Sequence, residues 1–309
     1  MIISLCAFLL IILNNKKQND QIKQVGIIQI SEHECLDQAR IGFMDKLSEL
    51  GYKDGENIKI EYQNAGGDQN VLNQIANNFT KSNKKDLIFA ISTPAAQTVS
   101  HLEGNVPILI TAVTDPESSG LVKENITGTH DMIPVEKQIN LITELLPNAK
   151  KVGILYSSAE INSKYQAQAA KSEAKNLGLE AKDYTVSNLN ELEQVTEYVS
   201  KNVDVIFVPT DNLVVSSMPL VSKCAEKAGI PIICSETASV KNGALATYGM
   251  DYCSLGKLTA EKTAEVLQGK NPKDIPIESL DNIKLTLNKT MAEKLGIKIP
   301  ENLKGEIAK

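Results

Sequence analysis

The chain has 309 residues, 32 basic and 38 acidic side chains for a formal charge of −6, and 42% hydrophobic against 23% charged residues. That length suits one elaborate domain or two lobes of about 150 residues, and the composition excludes a disordered chain and a multi-span membrane protein. The negative balance gives no cationic surface for phosphates, so no nucleic-acid partner is expected.

The first stretch, MIISLCAFLLIIL (1–13), is apolar and is followed by a polar segment. It is shorter than the ~20 residues that cross a bilayer. It reads as the hydrophobic part of a signal or membrane anchor, with residues 1–22 as anchor and linker, which places the protein outside the cytoplasm. From Val25 the chain alternates β-branched runs with amphipathic stretches, the pattern of βα units around a parallel sheet. The predicted strands are VGIIQI (25–30), IKIEYQ (58–63), DLIFAIS (86–92) and PILITAV (107–113), then KVGILYS (151–157), EAKDYTV (180–186), DVIFVPT (204–210) and PIICSE (231–236). Helices are expected over 36–50 and 163–177, where apolar residues recur near a 3.6 period, and over 254–268.

The two series of strands overlay. VGII at 25–28 matches VGIL at 152–155, and Leu50-Gly51 matches Leu177-Gly178, both at an offset of 127 residues (152 − 25 and 177 − 50). DLIF at 86 matches DVIF at 204. Two copies imply two similar lobes rather than a solenoid. TGTHDMIP (127–134) and YGMDY (248–252) read as connectors, and the strand-like IKLTLN (283–288) follows a third crossing. The expected division is residues 23–130 with 251–282 as lobe 1, and 131–250 with 283–309 as lobe 2. Three crossings form a hinge that limits the motion to bending.

Ligands of open parallel sheets sit beyond the carboxyl ends of the strands. There the sequence is polar throughout: SEHECLD, STPAAQ, TAVTDP, YSSAEINS, PTDN and SETASVKNG. Arg40 is the only arginine, so an anion needs donors other than a guanidinium fork. Thr93, as N-cap before Pro94, opens a helix whose free N–H groups suit a carboxylate. Thr114 with Asp115, and Asn162 with Ser163, offer hydroxyl, amide and backbone donors. Glu32 and Asp211 can take an ammonium as paired carboxylates. At an offset of 118 (211 − 93) Thr93 and Asp211 are equivalent in the two copies, so they are expected to face each other and hold the two ends of a zwitterion. Structural readings stand beside these: Thr93 and Asn162 as helix caps, Asp115 as a turn residue, Glu32 and Asp211 as solvated loop acids.

The five cysteines and three histidines form no CxxC or HExxH, so no metal, disulfide framework or cofactor is expected. His33, Glu34 and Cys35 are adjacent on one loop, and three consecutive side chains do not converge on one atom. His33 reads as a packing or surface residue. Tyr156, Tyr165, Phe89 and Phe207 are aromatic candidates for a pocket wall, each read first as core.

The segments EHECLDQARIGF (32–43), STPAAQ (92–97), TAVTDP (111–116), Asn162-Ser163, PTDN (209–212) and ATYGMDYCSLG (246–256) together resemble the solute-binding proteins of ABC importers. The resemblance is to the type I periplasmic-binding fold and to its subfamily for tryptophan and other aromatic or hydrophobic amino acids. It implies two Rossmann-like α/β lobes, a monomer, an amino-acid ligand, and delivery to a permease and its ATPase. It further implies ligand contacts from Glu32, Thr93, Thr114, Asp115, Asn162, Ser163, Asp211 and Asn212. A sugar or nucleoside on the same fold is the alternative. A transcription regulator sharing this architecture needs an N-terminal helix-turn-helix, and only the apolar run and linker precede the first strand. A cleft enzyme needs a base or nucleophile that no motif places, so no catalysis is expected.

Overall fold

A computed structural model describes residues 22–102 and 104–308; the apolar run at 1–13 and the anchor segment up to residue 21 lie outside the described residues. No described helix is long and apolar enough to cross a membrane. The first half runs β1 (Lys23–Gln29), α1 (Glu34–Glu49), β2 (Ile58–Asn64), α2 (Gln69–Asn77), β3 (Leu87–Ile91), α3 (Thr93–Ser100), β4 (Ile108–Val113) and β5 (Ile126–His130). The second half continues with α4 (Val135–Leu145), β6 (Lys151–Ser157), α5 (Ile161–Asn176), β7 (Glu180–Val186), α6 (Leu189–Ser200), β8 (Val205–Val208), α7 (Asn212–Ser216), α8 (Met218–Lys227), β9 (Ile232–Cys234), α9 (Thr237–Lys241) and β10 (Ala246–Gly249). Then α10 (Tyr252–Leu267) returns to the first half, and β11 (Lys284–Leu287), α11 (Lys289–Lys294) and β12 (Glu306–Ile307) complete the second.

The repeat is visible in the sheets. One has the order β2-β1-β3-β4-β5, and the other β12-β11-β10-β9-β8-β6-β7, so β6 to β10 repeat the order of β1 to β5. Pairing is parallel throughout except between β10 and β11. The central strands are buried along their whole length, as in LIFAI of β3 and VIFV of β8, because helices cover both sheet faces. Phe43 of α1 stacks on Phe89 of β3 with centroids 3.8 Å apart. The matched glycines also do the same work: Gly51 and Gly178 have φ of +89° and +74°, and each follows a helix whose last carbonyls are closed by bonds such as Tyr52 N to Leu47 O (2.9 Å) and Leu179 N to Ala174 O (2.8 Å).

Two segments read as connectors are strands. In β5 the side chains that look polar in sequence are satisfied inside the protein: Thr127 Oγ1 donates to Ile275 O (2.8 Å), and Thr129 Oγ1 lies 2.8 Å from Thr259 Oγ1 and 2.9 Å from Thr111 Oγ1. Gly128 sits at φ +140° against β4, where a Cβ would come within 2.1 Å of Ile110 O. In β10, Thr247 Oγ1 bonds Cys234 O at 2.5 Å. The crossings therefore begin just after these strands. Helices α1, α5 and α10 start two residues before the expected positions because His33, Glu160 and Asp251 occupy the N-cap positions, ahead of the first apolar residue of the period.

Helix α10 packs on α1 at a crossing with two glycines. A Cβ at Gly256 would lie 1.9 Å from Ala39 O, and one at Gly42 2.1 Å from Cys253 O. No rotamer relieves a clash with backbone, so Gly256→Ala must separate the helices and is expected to cost about 1–3 kcal/mol. Urea denaturation followed by circular dichroism checks this; an unchanged midpoint would mean the helices are not held at this distance.

Candidate ligand-binding cleft

The carboxyl ends of both sheets meet across a cavity of about 280 Å³. Ile30, Ser31 and Pro94 line it from the first half, and Ala159, Glu160 and Leu213 from the second. Ile30, Pro94, Ala159 and Leu213 make part of its wall apolar. None of the aromatic candidates lines it: Phe89, Phe207 and Tyr156 are core residues, and Tyr165 is exposed.

On the first half, Ser92 follows β3 and has φ +96°, and Ala112 in β4 has φ +52°. These are the two non-glycine residues in the left-handed region among those described, and both stand at the cleft ends of their strands, where strain is commonly held for function. Ser92, not Thr93, caps α3, its Oγ accepting from Ala95 N at 3.4 Å. The unusual φ of Ser92, which strand propensity does not foretell, shifts the cap one residue earlier. Thr93 is the first helical residue, buried, and its Oγ1 accepts from Thr114 N at 3.3 Å. Thr114 is fully buried with Oγ1 lacking a protein partner. Asp115 is half-buried and closes a turn, accepting from Glu117 N (3.0 Å) and Ser118 N (3.2 Å). Glu32 is exposed.

On the second half the polar residues form one network. Asp211 is fully buried and caps α7. Its Oδ1 accepts from Val214 N (2.8 Å) and its Oδ2 from Ser157 N (2.7 Å), with Ser163 Oγ also 2.7 Å from Oδ2. The strand registers keep the 118-residue offset, since Leu87 pairs with Val25 as Val205 pairs with Val152, so Thr93 and Asp211 stay equivalent while the helix cap falls one residue earlier in the first half, at Ser92. Both oxygens of Asp211 are occupied within its own half, which leaves no pairing with Glu32. Glu160 accepts from Asn212 Nδ2 (2.5 Å), Asn212 N (3.2 Å), Leu213 N (3.1 Å) and Asn162 Nδ2 (3.2 Å). Asn162 and Ser163 lie inside the first turn of α5 rather than capping it, and Asn162 Nδ2 also bonds Thr210 O at 2.8 Å.

Sequence reasoning passed over several of these residues. Glu160 stands at the 127-residue offset from His33 (160 − 33), and both are N-cap residues; the repeat carried that signal. Asp131, just beyond β5, accepts from Tyr252 Oη at 2.7 Å and keeps Oδ1 unpartnered. Glu236, before α9, is buried with Oε2 unpartnered. Burial raises the pKa of Asp131, Glu160, Asp211 and Glu236 alike. Glu160 and Glu236 both reach about 8, with the charge of Asp211 adding to each. Contacts between the halves close over this cluster: His33 Nε2 lies 3.4 Å from Asn212 Oδ1, and Lys241 Nζ donates to Glu34 Oε1 at 2.7 Å.

The buried atoms without protein partners include Ser31 Oγ, Thr114 Oγ1, Asp131 Oδ1 and Asn162 Oδ1. Unpaired polar atoms are rare in protein interiors, and these stand at the strand ends of both sheets. Two carboxylic acids and an amide oxygen suit a ligand's ammonium; the first turn of α3 with the Thr114 hydroxyl suits a carboxylate.

Comparison with known proteins places the chain in a family. Residues 24–309 match the family model described as ABC transporter substrate binding protein. A tyrosine-binding protein of Clostridioides difficile is 44% identical over 288 residues, covering 91% of this chain and 83% of that one. The structure of an ABC domain from Streptococcus pneumoniae in complex with L-Trp is 35% identical, with a TM-score of 0.89 over 93% of this chain and 100% of that one. The ligand-free, open structure of a substrate-binding protein with adhesive properties from Clostridium difficile is 41% identical, with a TM-score of 0.68 over 93% and 99%.

Proposed function

The chain belongs to the ABC transporter substrate-binding protein family, with the type I periplasmic-binding fold, and from that premise we propose that it captures an aromatic amino acid, of the tyrosine or tryptophan kind, between its lobes. The observation that carries the reading is a cavity between the two halves with Ile30, Pro94, Ala159, Leu213 and Glu160 in its wall, together with unpartnered buried acceptors at the strand ends of both sheets. In this reading Asp131, Glu160 and Asn162 receive the ammonium, with Asn212 and Asp211 holding Glu160 and the α5 turn in place. Thr93 and Thr114 at the start of α3 receive the carboxylate, and Ser163 braces Asp211. Asp115 shapes the loop behind Thr114, and Glu32 stays at the periphery.

Capture without chemistry requires a ligand that binds one arrangement of the lobes better than the other, since only differential affinity shifts a population. The two structural comparisons support such a pair of arrangements: the relative of higher identity, in its open ligand-free form, superposes less well than the tryptophan complex. The closed lobes would then dock on a membrane permease powered by its ATPase. In this proposal the protein acts as an extracytoplasmic monomer, held at the membrane through residues 1–13.

A thermal-shift panel of the twenty amino acids tests the reading. Ligand at ~100 times its dissociation constant adds about 2.7 kcal/mol to stability, so tyrosine or tryptophan is expected to raise the melting temperature clearly. Glu160→Gln is expected to weaken that ligand at least about tenfold through loss of a charge-assisted contact, while Glu32→Gln changes affinity by less than about twofold, as for an exposed acid. No shift with any amino acid, together with a shift by a sugar or nucleoside, would return the alternative cargo.

A further inference from the structure

His33 and Cys35 are near neighbours on one loop, and along the chain alone they do not meet a common atom. The fold brings them together with a third residue from the other half. His33 is in extended conformation (φ −156°, ψ 158°) immediately before α1, and Cys35 is in its first turn. Glu236, before α9, reaches across from the second half. One ligand atom from each of His33, Cys35 and Glu236 lies within 4.8 Å of the other two, and all three residues are buried. His33 Nδ1 and Glu236 Oε2 are 3.8 Å apart, their side chains 5% and 2% exposed, and neither atom has a hydrogen-bond partner.

We propose that His33, Cys35 and Glu236 form a binding site for a borderline-soft divalent cation of the zinc type, which ties the two halves together. One imidazole, one thiolate and one carboxylate are a zinc donor set, and three protein ligands leave a fourth position open. Tetrahedral ligands at zinc distances stand roughly 3.4–3.6 Å from one another, so the observed group needs to contract by a few tenths of an ångström to about one ångström. The outer contacts already orient the imidazole. Asn212 Nδ2 donates to Glu160 Oε2 at 2.5 Å, which turns Asn212 Oδ1 towards His33 Nε2 at 3.4 Å. The ring proton then sits on Nε2 and the Nδ1 lone pair faces Glu236, the usual support of a metal-bound histidine. Binding replaces the thiol proton of Cys35, which leaves to solvent.

One ligand, Cys35, reaches a groove. Cys35 lines a groove of about 700 Å³ between α1, α9 and the start of α10, where Glu34, Asp251, Asp281 and Glu306 outnumber Lys241 and Lys284. A cation approaching Cys35 therefore meets a net negative field. The site uses atoms distinct from those assigned to the amino acid, so either can be present without the other.

Cobalt(II) titration of the chelator-treated full-length protein is the test, read by the thiolate-to-cobalt charge-transfer absorption and by metal stoichiometry. One Co²⁺ per chain with that band, displaced by Zn²⁺, is expected. Cys35→Ser abolishes the band, and His33→Gln and Glu236→Gln each weaken the metal at least tenfold while circular dichroism shows a folded chain. Cys224 is the control, because it lies in a second, more exposed group with Glu193 and Glu197; Cys224→Ser leaves the band in place. A folded wild-type protein without the band, a band that survives Cys35→Ser, or one lost in Cys224→Ser overturns the proposal. Amino-acid binding by the same chelator-treated protein is measured separately, so failure of the metal site and failure of the amino-acid reading are distinguishable.

Discussion

Asp211→Ala is expected to destabilise the protein by about 3–5 kcal/mol, the range for removing one member of a buried charged network. The carboxylate joins three elements: the end of β6 through Ser157 N, the first turn of α5 through Ser163 Oγ, and the start of α7 through Val214 N. Alanine leaves the Ser157 and Val214 N–H groups buried without partners, while Ser163 Oγ keeps Thr210 O, and each orphaned donor costs about 1–3 kcal/mol. Asp211→Asn is the informative companion. Its amide keeps one acceptor but presents an N–H where a second acceptor is needed, so roughly half the loss is expected. Urea denaturation of the three proteins checks the order wild type, Asn, Ala. Amino-acid binding should fall in the same order, because α5 with its N-cap carries Glu160 and Asn162, and α7 carries Asn212. An alanine variant as stable as wild type, yet unable to bind, would make Asp211 a direct ligand contact instead of a brace.

The second large effect is a loss of stability on alkalinisation. Burial raises Glu160 from 4.5 to about 8, with repulsion from Asp211 adding to it, and burial raises Glu236 to about 8 as well. Between pH 4.5 and 8 the folded chain therefore holds protons that the unfolded chain has released. Their contribution is fully present below pH 4.5 and is lost as pH rises through about 8. His33 has the opposite sign. Burial lowers it from 6.5 to about 4, so its contribution is present above pH 6.5 and lost as pH falls through 4. The terms partly cancel between pH 4.5 and 6.5, and above pH 6.5 the acids act alone. At about 1.4 kcal/mol per pH unit for each proton, the fall from pH 6.5 to 8 is roughly 2–4 kcal/mol. Denaturation midpoints of chelator-treated protein across this range check it, and Glu160→Gln should show about half the slope. A flat profile would mean that water reaches these acids. A ligand ammonium beside Glu160 favours the carboxylate, so amino-acid binding near pH 7 should release protons. Calorimetry in buffers of different ionisation heat reads that release directly.

The legible part of the site followed the repeat and the strand ends. Thr93, Thr114, Asn162, Ser163, Asp211 and Asn212 stand out as candidates because polar residues interrupt apolar runs at positions where an open parallel sheet presents its carboxyl edge. Their individual roles were less legible. The same residue types serve as caps and as ligand contacts, and the left-handed φ of Ser92 is set by the packed turn between β3 and α3.

The sequence by itself determined the class of the protein: two copies of a βα pattern, the LG helix ends at 50–51 and 177–178, and the motifs carrying its family resemblance. These are local signals, since strand propensity, helix period and a glycine C-cap depend on neighbours within about one turn or one strand. Only the tertiary structure decided which side chains share one environment. It buried the threonines of β5 against Ile275 O and Thr259, so a segment that reads as a polar linker became a sheet strand. It left Glu32 exposed and buried Glu160 and Asp131, and it set Glu236 beside His33 and Cys35 from some two hundred residues away. Burial and unpaired acceptors exist only once the two halves enclose a common space, and no spacing along the chain encodes that directly.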